Sequence, residues 1–330
     1  MYVDMKNILY RSVIIVLIFV TGGLAEQKEK TGTTGFVFLK IPASARQIAM
    51  GETGIALPNV GSDAIFVNPA LASLIPQQNG ISFSYGDWYL DTQHQTFSYT
   101  RNMNLFGTVG FHFLNYNFGD MNKTRVFSSY EAELIQEGDN NKYMDLGTFS
   151  AGAYSVGLTY ARQLTDKFSI GTNLKYVRET IDVHYADNII ADIGFIFFTG
   201  YKSLRVGAYL QNFGLETEYV TETFKMPQTM TLGLSGELLG SYDSPNRVSF
   251  TLEAKHPNDE SEKVHAGLEG VWNNVISMRC GYKLGSEYEK LTLGMGIRFV
   301  YKMKKFQLDM AYMDHDYLQT TMRYTLSMEL

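Results

Sequence analysis

Nine charged residues raise the first chemical question. Lys175, Asp192, Arg205, Glu269, Arg279, Lys283, Arg298, Asp309 and Arg323 all fall on the polar side of segments that alternate apolar and polar residues. In a strand, residues two apart share a face, so each of these charges stands opposite an apolar face. Both signs are present. Such a set either pairs into a buried network or lines a path for a charged solute. A charge buried without a partner costs on the order of several kcal/mol. Mixed signs favour structural pairing.

Other residues capable of chemistry are scattered. The histidines are His94, His112, His184, His256, His265 and His315, and no two stand four apart as zinc ligands on a helix would. Cys280 is the single cysteine, which excludes an internal disulfide and a cysteine-based zinc cluster. Asp314-His-Asp316 and Asp139-Asn-Asn141 are acidic enough for weak cation binding, but neither has a full calcium ligand set. No Gly-x-Ser-x-Gly elbow and no Gly-x-x-x-x-Gly-Lys-Ser/Thr phosphate loop occurs. No catalytic residue, metal or cofactor is therefore expected, and the chain reads as a non-enzyme.

The elements that carry these charges point to a membrane. Residues 1–25 read as an export signal. Lys6 and Arg11 form its basic end, Ser12–Val20 its apolar run, and Gly23-Leu-Ala25 a small-x-small cleavage site. The run is shorter than the ~20 residues a spanning helix needs. The net charge of -6 argues against a nucleic-acid partner. Aromatic residues reach 14% and prolines number only 7, which favours strands over helices.

Residues 79–330 alternate with unusual regularity. Leu291, Leu293, Met295, Ile297, Phe299 and Tyr301 share one face; Thr292, Gly294, Gly296 and Arg298 share the other. Apolar faces with aromatics near strand ends, set against polar faces, suit a lipid-facing wall around a polar lumen. The pattern predicts an all-β fold: a transmembrane antiparallel β-barrel of about fourteen strands, in the outer membrane and in contact with its lipid. Strands are expected near 80–87, 93–101, 106–118, 149–163, 168–182, 189–200, 204–213, 228–239, 247–255, 263–272, 275–284, 290–301, 305–313 and 319–330. Gly119–Thr148 is expected to be the longest outward loop, and the alternation of Leu326, Met328 and Leu330 to mark the closing strand.

Residues 26–78 do not alternate. Ala43–Met50 suits a short helix ended by Gly51. Asn68 is a good N-cap before Pro69, which fits a first helical position because it lacks an N–H. A barrel this wide cannot fill its lumen with its own side chains. The apolar content of this segment suits a hatch, with one or two helices, plugging that lumen.

Three stretches then carry a resemblance: Phe38-Leu-Lys-Ile-Pro-Ala-Ser-Ala-Arg46, Ala49-Met-Gly51 and Ala64-Ile-Phe-Val-Asn-Pro-Ala70. With Ala191-Asp-Ile-Gly194, they resemble the PorV/PorQ family, which is similar to FadL-type outer-membrane transporters. Val67 stands where family members usually carry an aromatic, and Phe66 lies one place earlier. The resemblance implies a fourteen-strand barrel with a hatch whose motif residues are Arg46, Gly51, Asn68, Pro69 and Ala70. It also implies a role in type IX secretion, with outward loops holding the C-terminal domains of exported proteins or meeting the translocon. On that reading the loop aromatics Tyr130, Tyr143, Tyr219 and Tyr288 are the expected contacts. The alternative it implies is a FadL-like channel for hydrophobic small molecules, for which Ile190, Ile196 and Phe198 supply inward apolar surface. A barrel acting only as an assembly partner is the third reading.

Overall fold

The computed structural model describes residues 32–58, 61–127, 143–286 and 288–330. The expected export signal, Tyr130 and Asp139-Asn-Asn141 lie outside the described residues. The strands are β1 (Asn79–Asp87), β2 (Gln93–Asn102), β3 (Thr108–Val126), β4 (Tyr143–Thr165), β5 (Phe168–Ile181), β6 (His184–Phe198), β7 (Arg205–Phe213) and β8 (Thr217–Tyr219). They continue as β9 (Glu222–Phe224), β10 (Thr229–Leu239), β11 (Arg247–Pro257), β12 (Lys263–Trp272), β13 (Ile276–Leu284), β14 (Leu291–Tyr301), β15 (Lys304–Met313) and β16 (Thr321–Glu329). Strands β8 and β9 form a separate small ribbon; the other fourteen close into one antiparallel barrel.

Closure is made by β16. It pairs with β15 on one side and with β1 on the other, from Gly80 opposite Glu329 to Asp87 opposite Met322. Asn79 and Leu330 then exchange backbone hydrogen bonds at 3.2 and 2.8 Å. A closed barrel leaves no unpaired strand edge, the condition for crossing lipid with strands. No described helix is long and apolar enough to cross a membrane. We call the end where β1 begins and β16 finishes the inner end, and the opposite end the outer end.

The wall is uneven in height. β1, β13 and β16 have 9 residues each, about the minimum for a spanning strand. β3 has 19 and β4 has 23. Here the expectation of a loop over 119–148 is corrected. The β3–β4 ladder continues past the rim, from Asp120 opposite Ser150 to Val126 opposite Tyr143. Residues 119–126 are half-buried or exposed on both faces, so no apolar alternation marks them, although the backbone ladder persists.

The segment before β1 runs through the lumen. Phe36–Ile41 forms a strap at the outer end, where Gly35 N–H donates to Lys225 O. A short helix, Ala45–Ala49, follows; then a helical turn, Ala64–Val67; then a 3-10 turn, Pro69–Leu74. The second expected helix is thus 3-10 rather than α. Near the inner end, Asn102 Nδ2 donates to Ile75 O at 2.9 Å, where the chain leaves for β1.

Three apolar clusters fasten this segment. Phe36 and Phe38 pack with Leu114, Tyr116, Val177, Ile190 and Met226. Ala45, Ile48 and Ala49 pack with Ala311 and Met313. Ile65, Val67 and Leu71 pack with Ile196, Tyr209 and Ala161. Burying one such large side chain stabilises by about 1.5–3 kcal/mol.

Candidate functional site

The lumen is the candidate site, and what fills it decides what it does. The hatch lies so close to the wall that seven strands meet it with glycine. A Cβ added at Gly171, Gly194, Gly207, Gly233, Gly267, Gly281 or Gly294 would lie under 3.0 Å from hatch atoms. These strands are β5, β6, β7, β10, β12, β13 and β14, and the ladder sets several of the glycines directly opposite one another: 171 with 194, 207 with 233, 267 with 281. Gly in a strand interior costs conformational entropy, so a belt of it signals close backbone approach. Gly281 faces the hatch backbone at Met50 and Gly51. Gly51 has φ 69°, which a side-chain-bearing residue rarely adopts, and follows the last turn of the Ala45–Ala49 helix.

Asn68 sits against Gly194. Its Oδ1 accepts from Ala70 N–H at 3.0 Å, and its Nδ2 donates to Ile55 O at 2.7 Å and to Phe195 O at 3.0 Å. One side chain thus caps the Pro69–Leu74 turn and ties two hatch segments to β6. Pro69 and Ala70 are buried beside Gly171.

Charge does the rest of the fastening. Arg46, from the hatch, donates to Glu269 through Nε at 2.9 Å and through a terminal nitrogen at 2.8 Å. Glu269 also accepts from Arg279 Nε at 2.7 Å, and Arg279 reaches Asp309 at 2.6 Å. Gln307 donates to Asp309 at 2.6 Å and accepts from Arg298 at 2.7 Å. The chain therefore runs hatch, β12, β13, β15, β14 without a gap. A second lock joins Lys283 to Glu52 at 2.6 Å and to Glu289, while Lys255 donates to Glu52 O at 2.8 Å. In a third, Glu253 accepts from the backbone N–H groups of Gly54 and Ile55 at 2.6 and 2.8 Å. Arg205 forks onto Glu237 at 2.6 and 3.1 Å. Arg323 donates to Ala43 O at 3.2 Å beneath Trp88.

Asp192 organises the fourth lock. It pairs with Lys175 at 2.8 Å and accepts from Asn212 N–H at 2.8 Å, Asn173 Nδ2 at 3.0 Å and Tyr209 OH at 3.1 Å. Asn173 Nδ2 also reaches Ile65 O of the hatch. The β6–β7 register shifts here, and Asn212 has φ 58°.

The structure thus places all nine charges singled out in the sequence inside the wall. Glu52, Glu237 and Glu253, their acidic counterparts, were missed. Strand alternation, with Ser235 beside Glu237 and Thr251 beside Glu253, would have put the latter two inward. The glycine belt carried the same signal, at mid-strand positions on the polar face.

Between strap and hatch lies a cavity of about 330 Å³ at the outer end. Its lining mixes Lys40, Lys175, Lys255, Asp192, Glu52 and Glu260 with Phe66 and Trp88. His112 Nε2, Ser155 Oγ and both nitrogens of His265 are buried there with no hydrogen-bond partner among the described residues, although His265 Nδ1 lies 4.0 Å from the Glu52 carboxylate. Ile190 and Ile196 do face inward, but strap and hatch cover them. Of the loop tyrosines, Tyr219 is half-buried with its OH donating to His184 O at 3.3 Å. Tyr288 is exposed in a cluster with His315 and Tyr317, at ring distances of 5.7 and 5.5 Å. Tyr143 pairs with Val126 at the tip of the described β3–β4 ladder.

Several solved structures share this fold. The Pseudomonas putida toluene transporter TodX aligns with TM-score 0.57 at 12% identity, covering 91% of this chain and 99% of its own. The CymD monoaromatic hydrocarbon channel gives 0.55 at 10%, covering 89% and 97%. A Pseudomonas aeruginosa FadL homologue gives 0.50 at 10%, covering 87% and 97%. No curated relative matches the sequence. The family model described as type IX secretion system protein PorV matches residues 24–256. With a closed fourteen-strand wall, a hatch and that match, the chain is an outer-membrane β-barrel belonging to the PorV family.

Proposed function

We propose that this barrel binds exported proteins of a type IX-like secretion pathway on its outer rim. The observation that carries the reading is the contrast between the two parts of the molecule open to a partner. The lumen is filled by a hatch locked to the wall through buried ion pairs, whereas the outer rim is built far out. β3 and β4 continue their ladder past the rim, the β8–β9 ribbon adds Glu218 and Glu222 with Glu216 just before it, and Tyr288 and Tyr317 expose aromatic surface. Exposed aromatics are the commonest energetic anchors of protein interfaces.

The test is capture of exported C-terminal domains by the purified barrel. Replacing 119–147 with a two-residue turn should leave a heat-modifiable barrel that no longer captures them. Undiminished capture would sink the rim-docking reading.

A second reading, a channel for hydrophobic solutes, draws support from the register shift at Asp192, which interrupts the wall between β6 and β7. Against it, that break is occupied by the Lys175–Asp192–Asn212 cluster, and the cavity lining is heavily charged. Uptake of a monoaromatic hydrocarbon into proteoliposomes would favour it.

A further inference from the structure

The inner rim carries a charge pattern that neither reading uses. Arg101, Arg162, Lys167, Lys202, Lys302 and Lys304 are all exposed there. Lys305 is exposed as well and lies 3.7 Å from Glu329. These cations sit in the turns after β2, β4, β6 and β14 (Lys167, Lys202 and Lys302) or on the strand ends beside those turns (Arg101, Arg162, Lys304 and Lys305). Because β16 joins β1 to β15, those turns form one continuous arc of the rim. The other two inner turns, after β10 and β12, carry no exposed lysine or arginine. Arg247, beside them, is buried and donates to Ser244 O and to Asn274 Oδ1.

The arc is also apolar. Leu105, Phe106 and Met303 are 86%, 74% and 94% exposed beside these cations. Lys202 and Lys302 lie 5.9 and 5.3 Å from the ring centres of Tyr201 and Tyr301. Aromatic rings and long basic side chains beside exposed apolar groups match the boundary between acyl chains and headgroups. Clustered basic residues next to a spanning segment attract anionic lipid. A docking site for an acidic protein would gather its cations on one patch. Here they are spread over four turns, each at the bilayer boundary.

We propose that this arc holds anionic glycerophospholipids of the periplasmic leaflet, their phosphates at the basic side chains of successive turns, Arg101, then Lys202, then Lys302 with Lys304, and their acyl chains against the neighbouring Leu105, Phe106 and Met303. The arc selects anionic over zwitterionic lipid on one side of the barrel, and leaves the β10–β13 side without that preference.

The experiment is reconstitution of the full chain in nanodiscs with equal phosphatidylglycerol and phosphatidylcholine, followed by native mass spectrometry of retained lipid. Phosphatidylglycerol should be retained about tenfold over phosphatidylcholine. The Arg101→Gln, Lys202→Gln, Lys302→Gln, Lys304→Gln variant should lose that preference while remaining heat-modifiable. Should that variant fail to fold, the parent is read at 0.5 M salt, where a phosphate contact at an exposed rim is screened and the preference should shrink. Equal retention by the parent, an unchanged preference in the variant, or a salt-independent preference would overturn the assignment. So would an acidic protein copurifying with the arc in place of lipid.

Discussion

The wall and the hatch share one barrel but are held by different physics. The wall is a backbone ladder in which each strand pairs with two neighbours around the full circle. Its side chains need only be apolar outside and polar inside, and many substitutions satisfy that. The hatch has little regular structure of its own. It is fixed by apolar anchors, by glycine-lined close approach and by buried ion pairs reaching across some 200 residues of sequence, such as Arg46 to Glu269. The wall should therefore fail only when its closure is broken, and the hatch when single side chains change.

The largest expected effect is on closure. Deleting Thr325–Leu330 removes over half of β16 and leaves β1 and β15 with unpaired edges in lipid. Insertion should be abolished, read as loss of the heat-modifiable band. A truncated chain that inserts normally would contradict the seam.

Next come changes that act on the hatch alone. Gly281→Val places a branched side chain into the hatch backbone at Gly51, a clash that should cost ~3 kcal/mol or more. Glu269→Ala leaves Arg46 and Arg279 buried without their shared partner, at about 3–5 kcal/mol. Both variants should still insert, and both should show raised conductance in planar bilayers. If either abolishes insertion instead, hatch and wall are one cooperative unit and the distinction drawn above is wrong.

Asn68→Leu is expected to be milder. Loss of the cap costs about 1 kcal/mol, with further loss from the bonds to Ile55 O and Phe195 O. Leakage should rise less than for Glu269→Ala; a larger rise would mean that the cap, not the ion pairs, governs the hatch.

The smallest effect is one of pH at the strap. Lys40 bridges Asp259 and Glu260 at 2.6 Å each. Burial alone would raise the Glu260 carboxyl, but hydrogen bonds from Lys263 and Lys40 hold it below its ordinary value. Lys263 stands on the wall only three residues from Glu260, so only the share of that depression owed to Lys40 is added by docking, and that share stabilises the docked strap at pH above the ordinary glutamate value, about 4.3. That contribution is lost as pH falls through the lower, docked value. Fluorescence anisotropy of a dye on V37C, in a Cys280→Ser background, should stay flat from pH 8 to 5 and fall below about 4.

The same contrast explains what was legible in the sequence. Strands such as β14 could be read because Leu291, Leu293 and Met295 alternate against lipid while Thr292 and Gly294 face the hatch and Gly296 faces the inward charges Asp309 and Arg279. The outer part of β3 could not, because Asn122–Val126 projects beyond the rim, where neither face packs and alternation has no cause. In the hatch, Asn68-Pro69 was readable because capping is local chemistry. The locks were not. Nothing local couples Glu52 to Lys283, or Glu253 to the backbone of Gly54 and Ile55. The inward glycines looked like part of a generic polar face until the close approach of Met50, Gly51 and Asn68 showed their purpose.

The central claim is that partners are held on the rim while the hatch stays in place. Thr53 and Thr251 face each other across hatch and wall, with their hydroxyl oxygens 2.5 Å apart. In a Cys280→Ser background, Thr53→Cys with Thr251→Cys should form a disulfide that pins the hatch to β11. Capture of an exported C-terminal domain by the oxidised barrel should equal that of the reduced barrel. Capture lost on oxidation and restored by reductant would show that the hatch must move, and would contradict the account.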